Sequence, residues 1–422
     1  MTIGFVGMTH LGLNSAVASA EKGFHVVCFD PDESMTTNLS AGILPINEPQ
    51  LPELLRANAD RLRFTPSASA LSECDVIYVA PDVPTNDRGA SDLDPVRILL
   101  DEVDRVAHPQ AVIVILSQVP PGFTRALGSA RRHLYYQVET LIFGRAIERA
   151  LYPERFIVGC ADSSEPLPDS FRCYLEAFAC PILQMRYESA EFAKISINCF
   201  LVASVSTANT LAAICESIGA EWPEILPALR LDKRIGEHAY IRPGLGIAGG
   251  NLERDLATVC AIADAHGTDA QVIRAYGANS EHRKDWVLRK LHETLLNEVD
   301  DPKIAMLGLA YKENTNSIKN SVAIRLLGDL SPFRIATYDP AVVPTPRWHP
   351  RLNACDTALD ACKGADACVI MTPWDEFHEI DAHILKAAMS GDLIIDPFAV
   401  LDRAACKSAG IKHLILGATS EL

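Results

Sequence analysis

The sequence predicts an α/β protein with two Rossmann-like, doubly wound domains of parallel strands, joined by a long central helix and a helical region. Short apolar runs recur at regular spacing through the first 190 residues. A helical pattern of about 30 residues follows Glu188, and short apolar runs return from Lys303. Apolar runs separated by helical segments are typical of parallel strands that are covered on both faces.

The first predicted domain, residues 1–190, begins with a strand, a glycine turn, a helix and a second strand. IGFV (3–6) is the strand, GMTHLG (7–12) is the turn, and HVVCFD (25–30) is the second strand. The segment between them has helical spacing and ends at Gly23. Further apolar runs at 75–80, 111–117 and 155–160 extend the predicted parallel sheet.

The second predicted region, residues 191–297, is helical. Its first helix has no Pro or Gly until Gly219 and is apolar on more than one face, so we expect it to be buried between domains or subunits. A glycine-rich stretch at 242–255 precedes more helix. The third region, residues 298–422, contains the strand patterns KIAMLGLA, FRIATYDP, ADACVIMT and DLIIDPF, which predict a second α/β domain.

Composition restricts the class of protein. Apolar residues make up 48% of the chain and the net charge is −16, which disfavours nucleic acid or a membrane surface as the main partner. No apolar run reaches about 18 residues, so we expect no transmembrane helix. The chain starts directly in a strand, and its 12 cysteines show no metal-ligand spacing. These features predict a cytoplasmic protein with reduced thiols and no metal.

The turn at 7–12 matches the dinucleotide fingerprint G-x-G-x-x-G, except that Thr9 stands at the second glycine. Asp30 ends the second strand, where a carboxylate accepts hydrogen bonds from a ribose and repels a 2′-phosphate. The alternative is an ordinary strand–turn–helix with an Asp at a strand end. We expect NAD as cofactor, and the fingerprint residues expected to bind it are Gly7, Thr9, His10, Leu11, Gly12 and Asp30.

Lys194 and Asn198 lie four residues apart and so project from one face of the long helix. A desolvated Lys can take a proton from an alcohol as hydride leaves, and an amide can bind the reacting oxygen. The alternative is a Lys that reaches solvent and an Asn bonded to a neighbouring helix.

The glycine-rich loop Pro243–Gly250 can wrap a nucleotide or sugar, or can be a flexible hinge.

Six segments together resemble the UDP-glucose/GDP-mannose dehydrogenase family over nearly the whole chain. They are GILPINEPQLPELL (42–55), VPPGFT (119–124), LYPERFIVG (151–159), AEFAKISINCFLV (190–202), LGLAYKENTNSIKNS (307–321) and ADACVIMTPWDEF (365–377). The resemblance implies an N-terminal NAD domain, a central dimerising helix and a C-terminal domain that binds a nucleotide sugar. Family members oxidise the C6 alcohol of a nucleotide-linked hexose to a carboxylate in two NAD-dependent steps, and a cysteine captures the intermediate aldehyde.

The sequence departs from the family at the residues of the second step. Asn251 stands at the cysteine position, and an amide cannot form a thiohemiacetal. Cys260, which reads as a core helix position, is the nearest cysteine in sequence. Phe143 replaces the second Glu of the family's S-P-E-F-L-x-E-G, and Gln118 replaces a Thr; both positions normally position water. Phe398 replaces an Arg that contacts the nucleotide sugar.

The resemblance assigns further roles, residue by residue. Pro84, Gln118 and Lys319 are expected to join the cofactor contacts, with Lys319 in place of an Arg. The expected substrate-binding residues are Tyr240, Gly244, Gly246, Gly249 and Lys312. The expected catalytic residues are Lys194 as base or electrostatic partner, Asn198 and Asn251 as oxygen ligands, Asp255 as a group that tunes Lys194 or a water, and Glu139 in the water network.

The sequence therefore predicts an NAD-dependent nucleotide-sugar dehydrogenase that stops after one two-electron step and releases an aldehyde or ketone. A UDP-hexose is the favoured substrate and a homodimer the expected assembly. Three alternatives stay open: two-step oxidation in which Asn251 helps water hydrate the aldehyde, a catalytically silent homologue that binds nucleotide sugars, and an internal redox role such as epimerisation through a bound ketone.

Overall fold

The computed structural model describes residues 1–84, 91–128 and 133–419. These residues divide into two compact units, Met1–Ile197 and Asn198–Leu422. Each unit is built on one sheet with helices packed against it, so the predicted fold class is confirmed.

The described residues of the first unit form eight strands: β1 (Thr2–Val6), β2 (His25–Phe29), β3 (Leu62–Thr65), β4 (Val76–Val79), β5 (Val112–Ile115), β6 (Leu134–Gln137), β7 (Phe156–Cys160) and β8 (Ile182–Arg186). Its helices are α1 (His10–Glu21), α2 (Glu33–Ser40), α3 (Leu51–Ala57), α4 (Asp94–Val106), α5 (Phe123–Ala126), α6 (Ala146–Leu151) and α7 (Asp169–Glu176). β4 and β5 are buried along their whole length, because helices cover both faces of the sheet.

The strand order of this sheet is β3-β2-β1-β4-β5-β6-β7-β8. Its first six positions follow the Rossmann order, in which the chain reverses direction across the sheet between β1 and β4. Ile3 pairs with Val26 on one side and with Val76 on the other. β7 runs antiparallel to β6, and β8 is parallel to β7, so the far edge differs from the predicted all-parallel sheet.

The second unit begins within the long helix α8 (Tyr187–Ile218), which crosses the boundary between the units. The helices that follow are α9 (Trp222–Leu231), α10 (Asn251–His266), α11 (Gln271–Lys284), α12 (Trp286–Leu291), α13 (Val322–Asp329), α14 (Ala358–Cys362), α15 (Ala382–Ala388) and α16 (Arg403–Ser408). Its strands are β9 (Lys303–Leu307), β10 (Arg334–Tyr338), β11 (Leu352–Ala354), β12 (Ala367–Ile370), β13 (Leu393–Ile395) and β14 (Lys412–Leu414). All six strands are parallel, in the order β11-β10-β9-β12-β13-β14.

Helix α8 is partly exposed in the single chain, and it departs from one expectation. Phe200 is 76% exposed and Ile218 is 69% exposed in this chain, so the helix is not buried on all sides. Among the described residues it is also the one helix long and apolar enough to cross a membrane, although the sequence contains no unbroken apolar run of that length. The difference arises because Ser, Thr and Asn are interspersed in the apolar pattern. Length and composition alone do not distinguish such a span from a long helix of a soluble protein.

The sequence pattern did not predict five short strands of the described structure, namely β3, β6, β8, β11 and β14. They are three to five residues long and carry polar or exposed positions, so they lack the apolar runs that predicted the central strands. All 12 cysteines are free and seven are buried, which agrees with the predicted reduced thiols. Cys260 is only partly buried, so its interpretation as a core position was wrong.

Candidate functional site

The turn from β1 into α1 needs glycine at two positions. Gly7 has φ of +90°, and a Cβ there would lie 3.0 Å from the backbone nitrogen of Pro81. A Cβ on Gly12 would lie 1.9 Å from the carbonyl oxygen of Gly7. The first turn of α1 can therefore pack tightly under the loop only because both side chains are missing, as the fingerprint predicted.

Thr9 makes a contact that the sequence did not reveal. Its hydroxyl accepts a hydrogen bond from the Asp82 backbone N–H at 2.9 Å and donates to the Ala80 carbonyl at 3.4 Å. The Asp82 carboxylate in turn accepts from the backbone N–H of His10, the first residue of α1, at 3.2 Å. Asp82 follows β4 and lies 72 residues from His10, so no local sequence signal marks this contact.

Asp30 lies at the predicted place, after β2 and beside the glycine turn. One carboxylate oxygen accepts from the Met8 backbone N–H at 2.7 Å, and the other accepts from the Asp32 backbone N–H at 3.0 Å. Asp30 thus holds the loop conformation and keeps its carboxylate at the mouth of the turn. A carboxylate accepts several hydrogen bonds, so these two leave acceptor capacity for a ribose.

His10 and Glu48 form a buried pair, and Phe143, which stands where the family has its second Glu, packs against it. The His10 Nε2 lies 3.0 Å from the carboxylate of Glu48, and the Phe143 ring stacks on the imidazole with 4.0 Å between centroids. Glu48 also accepts from the backbone N–H groups of Gly144 and Ala146, at 3.1 and 2.7 Å. Burial acts to raise the pKa of Glu48, but these hydrogen bonds outweigh it and the pKa is lowered.

Lys194 is paired with Glu139. Its ammonium nitrogen lies 3.3 Å from the Glu139 carboxylate, and the two side chains are 14% and 16% exposed. Glu139 also accepts a hydrogen bond from the Leu141 backbone N–H. The alternative in which Lys194 simply extends into solvent does not hold, because this mostly buried ion pair fixes its ammonium group.

The other predicted cofactor residues of the first unit lie near the ends of β4 and β5. Pro84 is exposed, and its carbonyl accepts from the Asp92 N–H at 2.8 Å. Gln118 is partly buried and follows Ser117, whose hydroxyl donates to the Pro81 carbonyl at 2.5 Å. Leu11 is buried and its side chain belongs to the core of the unit, so only its backbone faces the turn.

In the second unit, Asn198 and Asp255 are brought together. The Asn198 side-chain amide donates to the Asp255 carboxylate at 2.5 Å, and both side chains are buried. The Arg254 guanidinium lies 3.2 Å from the other oxygen of Asp255. The alternative of an Asn bonded to a neighbouring helix therefore holds in part, because the bond to α10 exists and orients the amide.

The glycine-rich loop is folded tightly against its own unit. The Gly244 N–H donates to the Asn209 side chain at 2.8 Å. Gly246 and Gly249 both have φ of +88°, and a Cβ on either would lie 2.7 Å from a neighbour, the Ser280 carbonyl oxygen or the Tyr311 ring. The loop is therefore held in one conformation, which disfavours the hinge alternative.

Asn251 is the first residue of α10 and is exposed. Cys260 lies nine residues further along the same helix, which is two and a half turns, so it projects from the opposite side about 13 Å away along the axis. Cys199, beside Asn198 in α8, has its pKa raised to about 11 by burial, with smaller contributions from Asp255 and Cys260. A thiol with that pKa is protonated at neutral pH and is a weak nucleophile.

The remaining predicted substrate and cofactor residues of this unit lie around the same loop. Tyr240 is 51% exposed. Lys312 is partly buried, and its ammonium lies 5.8 Å from the centroid of the Tyr311 ring. The Lys319 carbonyl accepts from the Gly249 N–H at 3.1 Å, and its side chain passes Gly250. Within the described residues, no group of three or more His, Cys, Asp or Glu is placed to hold a metal.

Three models of the UDP-glucose/GDP-mannose dehydrogenase family match the chain: the NAD binding domain over residues 1–166, the central domain over 188–281 and the UDP binding domain over 305–403. UDP-glucose 6-dehydrogenase AglM of Haloferax volcanii is 30% identical over 425 residues, with 96% of this chain and 98% of the relative covered. The chain belongs to this family. It is an NAD-dependent nucleotide-sugar dehydrogenase of the UDP-glucose dehydrogenase type.

Other relatives agree over the same length. UDP-glucose 6-dehydrogenase of Rickettsia conorii is 29% identical over 432 residues, which cover 99% of each chain. The solved structure of a UDP-glucose dehydrogenase from Pyrobaculum islandicum is 25% identical and superposes with a TM-score of 0.84, covering 99% of this chain and 98% of that one.

The first unit of this dehydrogenase fits NAD in most respects. Gly7 and Gly12 leave room for close approach of a dinucleotide to the backbone, and Asp30 ends β2, the position at which dinucleotide-binding folds place the acidic residue that binds a ribose. Asp82 is the exception, because its carboxylate already accepts from the amide that opens α1. When bound, NAD supplies the hydride acceptor for alcohol oxidation.

Proposed function

We propose that this enzyme oxidises one hydroxyl group of a UDP-hexose in a single two-electron step and releases an aldehyde or ketone. The observation that supports the proposal is the start of α10, where Asn251 is the first helical residue. The sequence resemblance places the family's cysteine at this position. Cys260 points away from it along the same helix, and Cys199 is held as a thiol. These residues supply no thiolate for a covalent second step.

The groups for one oxidation are kept. Lys194, fixed by Glu139, would take the proton from the reacting hydroxyl or stabilise its developing negative charge. Asn198 would hold the same oxygen through its amide, oriented by Asp255, and Asn251 would add a second amide. Lys194 and Asn198 lie one helical turn apart in α8, which is the basis for placing them on one substrate atom.

The nucleotide sugar would be held by the glycine loop, through Gly244, Gly246 and Gly249, with Tyr240 and Lys312 beside it. Pro84, Gln118 and Lys319 remain proposed cofactor contacts. We also propose the division into an NAD domain (1–190), a central dimerisation region (191–297) and a sugar-binding domain (298–422). The exposed apolar residues of α8 support a homodimer, and the free cysteines support a reducing, cytoplasmic location.

The experiment that tests the proposal counts NADH formed per UDP-glucose consumed by the purified protein with excess NAD, with an aldehyde trap in half of the samples. UDP-galactose and a GDP-hexose serve as comparison substrates. One equivalent of NADH with a trapped carbonyl supports the single step. Two equivalents show that acid forms without a cysteine, and binding with no NADH shows a silent homologue; either result contradicts the proposal.

Asn251→Cys is the matched gain-of-function variant. Restoring the thiol at the start of α10 should raise the yield from one towards two NADH per sugar, if the lost cysteine is what limits the reaction. Asn251→Ser is its control, since a hydroxyl of similar size lacks the nucleophilicity of a thiolate. An identical product from both variants would show that positions other than 251 stop the reaction.

Lys194→Ala should lower kcat by about 10²- to 10⁴-fold, the range expected for a lost general base. Glu139→Gln keeps the hydrogen-bonding shape and should cost less, because Lys194 itself remains. The measurement is the initial rate of NADH formation at saturating substrate, with folding checked by circular dichroism. A Lys194→Ala variant with near-normal turnover would rule out this mechanism.

A further inference from the structure

We propose that Asp82 is an affinity-determining residue of the cofactor site, because its carboxylate occupies the anion position at the start of α1 and must be displaced before a pyrophosphate can bind there. The proposal rests on NAD being the cofactor. It adds that the Asp82 carboxylate competes with the phosphate groups of that cofactor for the backbone N–H at the start of α1.

The geometry comes from two reciprocal hydrogen bonds. The Asp82 carboxylate accepts from the His10 N–H at 3.2 Å, and the Asp82 N–H donates to the Thr9 hydroxyl at 2.9 Å. In a dinucleotide fold, the pyrophosphate lies at this helix N-terminus and accepts hydrogen bonds from the first free N–H groups. Asp82 therefore satisfies a donor that a bound pyrophosphate would use.

Thr9 accepts the second hydrogen bond of the contact between Asp82 and the turn. A glycine at this position of the fingerprint has no side chain and leaves the backbone open to phosphate. Here the Thr9 hydroxyl links Asp82 to the turn and also donates to the Ala80 carbonyl at 3.4 Å. The departure at Thr9 and the presence of Asp82 are thus one structural feature, formed by residues that are distant in sequence.

The charges around Asp82 come from α1 and from the segment after β6. His10 favours the charged form of the carboxyl, and Glu139 disfavours it. Asp82 is exposed to solvent, but the protein atoms crowded around its carboxyl group are the largest influence and raise its pKa, against the hydrogen bonds from His10 and Leu11. A raised pKa means that the carboxyl becomes neutral more readily as pH falls, which weakens its competition with phosphate.

Asp82→Asn is the direct test, with Asp92→Asn as the matched control. Both variants remove one acidic charge, but the Asp92 carboxylate accepts from the Asp94 N–H at 3.1 Å, and no hydrogen bond between described residues joins Asp92 to α1. We expect Asp82→Asn to bind NAD about 10- to 100-fold more tightly than wild type, the effect of removing one charge-assisted competitor. Calorimetry or NADH fluorescence measures the Kd without turnover.

Two further binding measurements distinguish competition with the pyrophosphate from a general change in affinity. Adenosine lacks the pyrophosphate, so its Kd should be the same in wild type and in Asp82→Asn. The Kd of wild type for NAD should fall as pH is lowered towards the range in which carboxyl groups are protonated, because protonation removes the competing charge of Asp82, and Asp82→Asn should lose that dependence. Unchanged or weaker NAD binding, an equal gain for adenosine, or an equal gain in Asp92→Asn would overturn the proposal.

These measurements do not depend on the reaction product. An Asp82→Asn variant with tighter NAD binding supports the competitor role whether one or two NADH are formed per sugar. Failure of the single-step oxidation would therefore leave the proposed role of Asp82 standing. Failure of the proposed role of Asp82 would likewise leave the single-step oxidation standing.

Discussion

Two helices in this dehydrogenase begin directly after a glycine turn, and their first residues are stabilised in different ways. The start of α1 is contacted by Asp82, from beyond β4, and by Glu48 through His10. The start of α10 is closed by Glu253, whose carboxylate accepts from the Gly250 N–H at 2.9 Å, only three residues away. The first start depends on the folded sheet, whereas the second is a local feature of the sequence.

Because of this difference, the starts of α1 and α10 should respond differently to amino-acid substitution. Residues at the start of α1 are coupled to distant segments, so a substitution there disturbs several elements of the first unit. Those at the start of α10 are coupled mainly within one turn, although Asn320 donates to Glu253 at 3.1 Å and the Lys284 ammonium lies 3.9 Å from the same carboxylate. Substitutions at the first start should therefore cost more free energy of unfolding than those at the second.

The largest effect is expected for Gly12→Ala. The new Cβ would meet the Gly7 carbonyl oxygen at 1.9 Å, so the first turn of α1 would have to move, at a cost of about 3 kcal/mol or more in the free energy of unfolding. Gly277→Ala is the control, because a Cβ there meets nothing within 4 Å and alanine favours the helix. Urea unfolding of both variants provides the measurement; equal stabilities would contradict the predicted contact.

Glu48→Gln should have an intermediate effect that depends on pH. At neutral pH the variant should lose about 1–3 kcal/mol, because the carboxylate holds His10 and the N–H groups of Gly144 and Ala146. The folded pKa of Glu48 lies below its ordinary value of 4.5, so this stability exists above that pH and is lost as pH falls through the folded pKa.

The check for Glu48→Gln is a series of urea titrations from pH 7 down to about pH 3.5. The stability difference from wild type should shrink in the acidic part of this range. A difference that stays constant with pH would show that the charge of Glu48 is not what stabilises the cluster.

Glu253→Ala should have the smallest effect, about 1 kcal/mol, as expected for loss of a local helix cap. Glu253→Gln retains a side-chain oxygen that can accept from Gly250 and should restore most of the loss. Thermal unfolding followed by circular dichroism measures both variants. A loss larger than that of Glu48→Gln would reverse the ordering predicted for the two helix starts.

Local patterns were enough to predict much of the fold and part of the site. The glycine fingerprint, Asp30 at the end of β2 and the long helix α8 all lie where the sequence placed them. Each depends on residues that are close in sequence, whose backbone preferences and hydrophobic spacing act over a few turns. The short polar strands β3 and β11 carried no such pattern and were missed.

Contacts between distant segments could not be predicted in the same way. Nothing in the sequence near Asp82, Glu48 or Phe143 indicates that all three reach His10. The pairing of Lys194 with Glu139 and of Asn198 with Asp255 also depends on how strands and helices pack.

The sequence by itself determined the central strands of the two sheets, the helix between them and the glycine turns. Each follows from residue type and spacing along a short stretch. Only the tertiary structure decided that Asp82 lies on the first turn of α1 and that Lys194 is fixed by Glu139. The physical reason is that hydrogen bonds and ion pairs form wherever the packed sheet brings their atoms within about 3 Å, regardless of the separation along the chain.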